Sequence, residues 1–274
     1  MNFLSLFLRS LKKLSKSIAC FLFCLTATAE DLSHPFFLSQ GGSGGASLRE
    51  DMSYLLNPAL LGFHRKTKGA VSYSFKQKQQ TATASFLDLK TKLPMAVTYQ
   101  RAWSQSFRQS EKDELFIHSG FRVSPYLSLG LSVQRELKLS HWNFNLAGAL
   151  RLSSDLGLAV FLDKVLEEEK RNQKILTVAL YHRWKSFFST QFDFSRTTQK
   201  KWILRGGLRS LFHPFFSLQL GGRAYFEDET AFNKIEQGFL SGGVSFHSPR
   251  LLLEYGIETN QKIYQHSITL LLRI

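Results

Sequence analysis

From Gly69 to the last residue the chain alternates apolar and polar positions with a period of two, in segments of about nine to eleven residues. The stretch YLSLGLSVQ at 126–134 shows the pattern plainly. Leu127, Leu129, Leu131 and Val133 fall on one side of an extended chain, and Ser128, Gly130, Ser132 and Gln134 on the other. Fourteen such segments are predicted: 69–77, 81–88, 94–103, 114–122, 126–136, 140–150, 154–163, 174–184, 187–196, 201–210, 215–226, 236–246, 250–258 and 264–274. The apolar side is clearest in Leu156/Leu158/Val160/Leu162, Leu218/Leu220/Gly222/Ala224/Phe226, Leu251/Leu253/Tyr255/Ile257 and Ile268/Leu270/Leu272/Ile274. The opposite sides carry Gly157 and Ala159; Ser217, Gln219, Gly221 and Arg223; Glu254, Gly256 and Glu258; and Ser267, Thr269 and Arg273.

A soluble β-sandwich also alternates. Three features favour a closed antiparallel transmembrane β-barrel instead. Soluble strands average about five or six residues, whereas a tilted strand crossing a bilayer needs about nine to eleven. The connections are sorted by parity. Even-numbered joins are short (LKTKLP, VSP, RLSSD, KS, SLFHP, HSP), and odd ones are mostly longer and charged, such as SQSFRQSEKDE, KVLEEEKRNQK and EDETAFNK. Short periplasmic turns alternating with longer outer loops mark an outer-membrane barrel, which must close because lipid cannot satisfy an open sheet edge. Pro94, Pro125, Pro214 and Pro249, the four prolines after residue 69, all fall at even joins. Lastly, Trp103, Trp142, Trp184 and Trp202 all lie near strand ends, where an indole finds an apolar bed and a wet N–H.

The bulk numbers agree with this picture. Mean hydropathy is −0.13, and nothing after the first thirty residues approaches the roughly 18 apolar residues of a spanning helix. Aromatic residues make up 14% of the chain, with 25 Phe beside 6 Pro and 2 Cys. Arg9, Lys12, Lys13 and Lys16, the apolar run Ile18–Leu25 and the small residues Ala27-Thr28-Ala29 form a secretory signal over residues 1–29, with Glu30 as the expected new N-terminus. A lipoprotein signal with Cys20 as the lipidated residue is the rival reading. Both cysteines lie inside the signal, so the exported chain has no disulfide and no cysteine-held metal. Removing the four basic residues takes the formal charge from +14 to +10. In an exported chain that charge suits outer-membrane lipid head groups and lipopolysaccharide phosphates rather than nucleic acid.

Residues 30–68 do not alternate, and residues 69–274 form the barrel. GGSGG at 41–45 leads into ASLREDMSYLLNPALLG at 46–62. Ser47 and Glu50 fit a capping box, Leu48, Met52, Leu55 and Leu56 then share a helical face, and Asn57-Pro58 reads as a second cap before a stop at Gly62. The segment is thus a short helical arm, or a plug at the periplasmic mouth. Here the chain resembles the long-chain fatty-acid transporter superfamily of outer-membrane proteins, which includes the PorV-like barrels. Gly44-Gly45-Ala46, Asp51 and Asn57-Pro58-Ala59-Leu60-Leu61 carry the resemblance. It implies a fourteen-stranded barrel with an N-terminal hatch in the outer membrane of a Gram-negative cell, assembled by the barrel-assembly machinery. Two features depart from that family. The longest loops have only about ten residues where the best-known transporters have a long capture groove, and the last residue is Ile274 rather than an aromatic. Tyr264, Leu270 and Leu272 still supply a final-strand assembly signal.

No catalytic or metal pattern stands out. The eight His show no HExxH spacing, and there is no GxSxG or phosphate loop. His118-Ser119, Ser140-His141, His247-Ser248 and His266-Ser267 are neighbours, but adjacent strand residues point to opposite faces. No enzyme, metal or cofactor is therefore expected. Alternation turns Asp193, Arg205, Arg209, Arg223, Glu254 and Glu258 inward, either as an ion-pair network fixing the barrel's shape or as a basic stripe for a passing anion. Small inward residues at Gly207, Gly221, Gly243 and Gly256 leave room for a passage or a plug. Passive uptake of small hydrophobic or amphipathic compounds is the leading expectation. A non-transporting structural barrel, or a PorV-like partner for exported surface proteins, is the alternative.

Overall fold

The structure is a computed structural model. It describes residues 40, 42–47, 52–64 and, from residue 67 onward, all except 77–78, 89–90, 92, 105–109, 139–140, 164, 166–174, 186, 199–200, 228–234, 261–263 and 274. The expected signal sequence, its Cys20 alternative and the cleavage site lie outside the described residues, as do Leu48, Glu50 and Asp51.

Fourteen strands form the wall: β1 (Lys68–Lys76), β2 (Gln79–Asp88), β3 (Met95–Ser104), β4 (Ser110–Arg122), β5 (Leu127–Glu136), β6 (His141–Arg151), β7 (Leu156–Asp163), β8 (Ile175–Trp184), β9 (Phe188–Thr197), β10 (Lys201–His213), β11 (Phe216–Glu227), β12 (Ile235–His247), β13 (Leu251–Thr259) and β14 (Tyr264–Arg273). Each pairs antiparallel with its sequence neighbours, and β14 closes on β1 with Lys68 opposite Arg273 and Lys76 opposite Gln265. Every strand thus has two partners, so no backbone edge is left for lipid.

Consecutive antiparallel pairing puts all the short joins at one end of the barrel and all the longer ones at the other. Every predicted segment corresponds to one strand, but three strands run further than the sequence suggests. β4 starts at Ser110 rather than 114, β10 continues to His213, and β12 spans Ile235–His247. Charge ends the lipid-facing band without ending the ladder. Asp113 stays opposite Arg101 in the β3–β4 register.

The two faces divide as the alternation requires. Leu129, Leu131, Leu218, Leu220, Val244 and Leu270 are exposed on the outside, whereas Ser128, Ser132, Ser217, Gln219, Ser245 and Thr269 are buried within. Phe226 departs from the expected outward exposure and is only 8% exposed. It sits opposite Trp202 where the β11–β12 register shifts. That tryptophan stacks on Phe194 at 4.7 Å and receives Arg196 at 4.8 Å from its ring centroid. These aromatics pack at the long-loop end of the wall, where an indole belt is favoured. Trp142 and Trp184 are exposed at opposite ends of the barrel.

Candidate functional site

The candidate site is the space inside the wall, and the N-terminal residues occupy part of it. The expected helix is not what the described residues form. Ser53–Leu55 make one 3-10 turn and Pro58–Phe63 a second. Asn57 between them is extended, at φ −139° and ψ 100°. Proline explains the break, since it has no N–H to donate and pushes the preceding residue out of the helical region. Asn57 caps the second turn: its Oδ1 accepts from the Ala59 amide at 3.0 Å, while its Nδ2 donates to the Gly45 carbonyl at 2.7 Å.

Two apolar clusters fix this segment to the wall. Ala46, Ala59 and Leu60 pack with Ala147, Ala149, Ala159, Ala179, Phe161 and Tyr181. Met52, Tyr54 and Leu61 pack with Ala70, Leu87, Ala96, Leu252 and Leu271. Most of these wall residues lie in the strand halves nearer the short turns, and the patch on β6–β8 is built largely from alanines. Glycines bring the backbones together. A Cβ on Gly120 would stand 2.7 Å from Leu61 Cβ and from the Pro58 carbonyl, and one on Gly207 would stand 2.6 Å from Gln40 Cβ and Ser43 Oγ. Gly130 faces the Pro58–Ala59 peptide even more closely. The room that Gly207 and Gly130 leave is therefore filled by the chain itself.

The six charged residues expected in the lumen face inward, and Asp193, Arg205 and Arg223 follow one another across β9, β10 and β11. Asp193 is fully buried in mid-barrel, where its Oδ2 accepts from the Gly44 and Gly45 amides at 3.1 Å each. Arg205 lies opposite Asp193 in the β9–β10 register and donates from Nη1 to Ser195 Oγ at 2.6 Å. Its Cδ would be 3.2 Å from a Cβ on Gly42. Gln191 adds a side-chain hydrogen bond to Gln40. On the next strand, opposite Arg205, Arg223 Nη2 meets Glu258 Oε2 at 2.6 Å, and the Arg223 guanidinium lies 4.4 Å from the Phe239 ring centroid. Glu254 accepts from Ser245 Oγ at 3.2 Å, and Ser245 Oγ accepts from Gln219. Two of the arginines thus sit within buried polar networks, where a low local dielectric makes complete pairing matter.

Arg209 is different. It lies at the short-turn end, donating from Nε to Ser217 Oγ at 3.2 Å and from Nη2 to His247 Nε2 at 3.0 Å. A guanidinium can only donate, so that contact assigns the ring proton of His247 to Nδ1. Arg209 and His247 line a cavity of about 460 Å³ together with Arg183, Arg273 and several aromatic side chains. Sequence reasoning found Arg209 and Arg273 through the alternation. It missed Arg183 and His247, which sit where strands run into turns and the period-two signal gives out. It also missed Glu114, buried beside Gln134 and 2.9 Å from Lys112 Nζ.

This geometry defines a class: a closed, fourteen-stranded antiparallel β-barrel with a largely polar lumen and an N-terminal segment packed inside. Among solved structures the same fold occurs in a Pseudomonas aeruginosa FadL homologue, with a TM-score of 0.66 at 10% identity over 89% of this chain and 98% of that one. The P. putida toluene transporter TodX is similar, with a TM-score of 0.63 at 10% identity over 89% and 99%. The CymD monoaromatic hydrocarbon channel follows at 0.56 and 12% identity over 89% and 98%. No family profile matches the sequence, and no curated protein matches it. The expected resemblance to fatty-acid-transporter-type barrels therefore holds in the fold.

Proposed function

We propose that this chain is an outer-membrane channel for passive uptake of small hydrophobic or amphipathic compounds, with the N-terminal segment, residues 30–68, as its plug. One observation carries the reading. The inner wall of β6–β8 is built from small residues (Ala147, Ala149, Ala159, Ala179), and the N-terminal segment rather than wall side chains fills the space beside it. A barrel with only a structural task could fill that space with larger wall residues, as small barrels do. The similar solved barrels described as a toluene transporter and a monoaromatic hydrocarbon channel support the same reading. No catalytic role is assigned to any lumen residue.

The test is planar-bilayer conductance of the mature chain with and without residues 30–67. The wall's backbone hydrogen bonds close without that segment, so the deletion should fold and conduct. Arg205→Ala with Arg223→Ala should then move the reversal potential away from anion preference, because fixed charges at a narrow bore set the local ion concentration. A deletion variant that folds but stays closed, with no change in selectivity, would replace this reading with a structural barrel or a PorV-like partner for exported proteins.

A further inference from the structure

The cavity at the short-turn end adjoins the N-terminal segment, sharing Tyr181 and Leu252 with its apolar clusters, and stands apart from the mid-barrel charge networks. Its size, about 460 Å³, falls within the range of ordinary small-molecule sites. Two kinds of side chain dominate it. Arg183, Arg209 and Arg273 supply guanidinium groups, and Tyr181, Phe187, Phe188 and Phe215 supply rings. No carboxylate lines it among the described residues. Arg183 is already clamped by Asp155, at 2.7 Å from Nε and 2.6 Å from Nη2. Arg209 meets Ser217 and His247, and Arg273 Nη1 donates to the Ser248 carbonyl at 3.1 Å. The surrounding rim has the same sign. Arg122, Arg151, Lys185 and Arg250 stand at the short turns, against Asp88 and Asp155 among the described residues there. Such a field concentrates anions at the mouth.

We propose that this cavity binds an aromatic carboxylate: a flat ring held among the aromatic side chains and a carboxylate held by the Arg209 and Arg273 forks. Guanidinium groups match carboxylates in a bidentate, charge-assisted geometry. Ring pairs add attraction beyond simple area burial, which a flexible alkyl chain does not gain. A compact cavity with four rings therefore favours an arene acid over a long-chain one, and the cationic rim favours it over a neutral arene. The proposal draws on the channel reading only for how the ligand arrives. Binding is measured on the purified protein, so a failed binding test and a failed conductance test are separate results.

The experiment is equilibrium dialysis of the mature chain in phosphatidylcholine nanodiscs against 2-naphthoate, naphthalene, octanoate and acetate, with empty nanodiscs as the blank. Protein-dependent binding of 2-naphthoate should be about tenfold tighter than that of naphthalene or octanoate, and acetate should not compete at matched concentration. Arg209→Gln should weaken 2-naphthoate about tenfold and leave naphthalene unchanged. Phe215→Ala, at the turn between β10 and β11, should weaken both aromatic ligands. Equal affinity for octanoate and 2-naphthoate, competition by acetate, or an unchanged Arg209→Gln variant would each overturn the assignment.

Discussion

The Asn57 side chain ties itself to Gly45, twelve residues earlier, by an Nδ2 hydrogen bond to the carbonyl at 2.7 Å. Its Oδ1 meanwhile caps Ala59. One amide thus holds both halves of the lumen segment in register, and Gly45 in turn donates its own amide to Asp193. Asn57→Ala breaks the cap and the tie together. Loss of a cap alone costs about 0.5–2 kcal/mol. The expected outcome is an intact barrel with more frequent open events in single-channel recordings.

Asp193 receives the two glycine amides and faces Arg205. Asp193→Ala removes a charged acceptor, and hydrogen bonds to charged groups are worth about 1.5–3 kcal/mol each. It also leaves Arg205 buried without its register partner. Protease accessibility of residues 40–47 should rise sharply in the variant, while the barrel's shifted migration on unboiled gels persists. Unchanged protection would show that the apolar clusters alone hold the segment.

The two faces of β5 give a sharper contrast than alternation alone suggests. Leu129→Arg places a charge in lipid, at about 2–4 kcal/mol near the midplane. Ser128→Arg would be harmless if the lumen were roomy, but Ser128 is fully buried and its hydroxyl closely faces Gly62. The first variant should lower the yield of folded barrel. The second should fold yet release the segment, raising conductance.

Gly207 and Gly148 form a matched pair of probes. A Cβ at Gly207 would press on Gln40 and Ser43, while one at Gly148 would meet nothing nearer than Leu129 Cδ2 at 3.8 Å. Gly207→Val should unseat the start of the lumen segment, and Gly148→Ala should leave conductance and stability unchanged.

Tyr54 is fully buried on the lumen segment, and burial pushes its phenol from 10 up to about 12, with the Ser85 and Thr98 hydroxyls acting the other way. A raised phenol stabilises the folded state fully below the unfolded value, and that stability is lost as pH rises from about 10 through about 12. Ultraviolet titration of the folded protein should show a late tyrosinate step near 12 that Tyr54→Phe removes.

The wall was legible because period-two alternation is imposed by lipid on one side and a wet lumen on the other. Ser128/Leu129 and Thr269/Leu270 read directly from composition. The interior of the lumen was less so. Arg223 and Glu258 could be placed inside, but their 2.6 Å pairing across two strand steps depends on register, which composition does not encode. Alternation placed Arg205 and Asp193 inside, but not their contacts with the start of the N-terminal segment at Gly42 and Gly44. Of the helix read over 47–56, the described residues Ser53–Leu55 form one 3-10 turn, and Met52, Tyr54 and Leu55 all pack in one apolar cluster against the wall.

His64, the last described residue of the lumen segment, precedes β1 by only four positions, at the short-turn rim. Four residues reach about 13 Å at full extension. The lumen segment is therefore on a leash too short to drift away. If its contacts let go, it hangs at the mouth it came from, and no strand need separate for it to leave or return. A tether of this kind holds the loose end at an effective concentration on the order of millimolar. Reclosure would then proceed at a rate set by the leash and not by protein abundance, so each barrel would open and reseal as a self-contained unit.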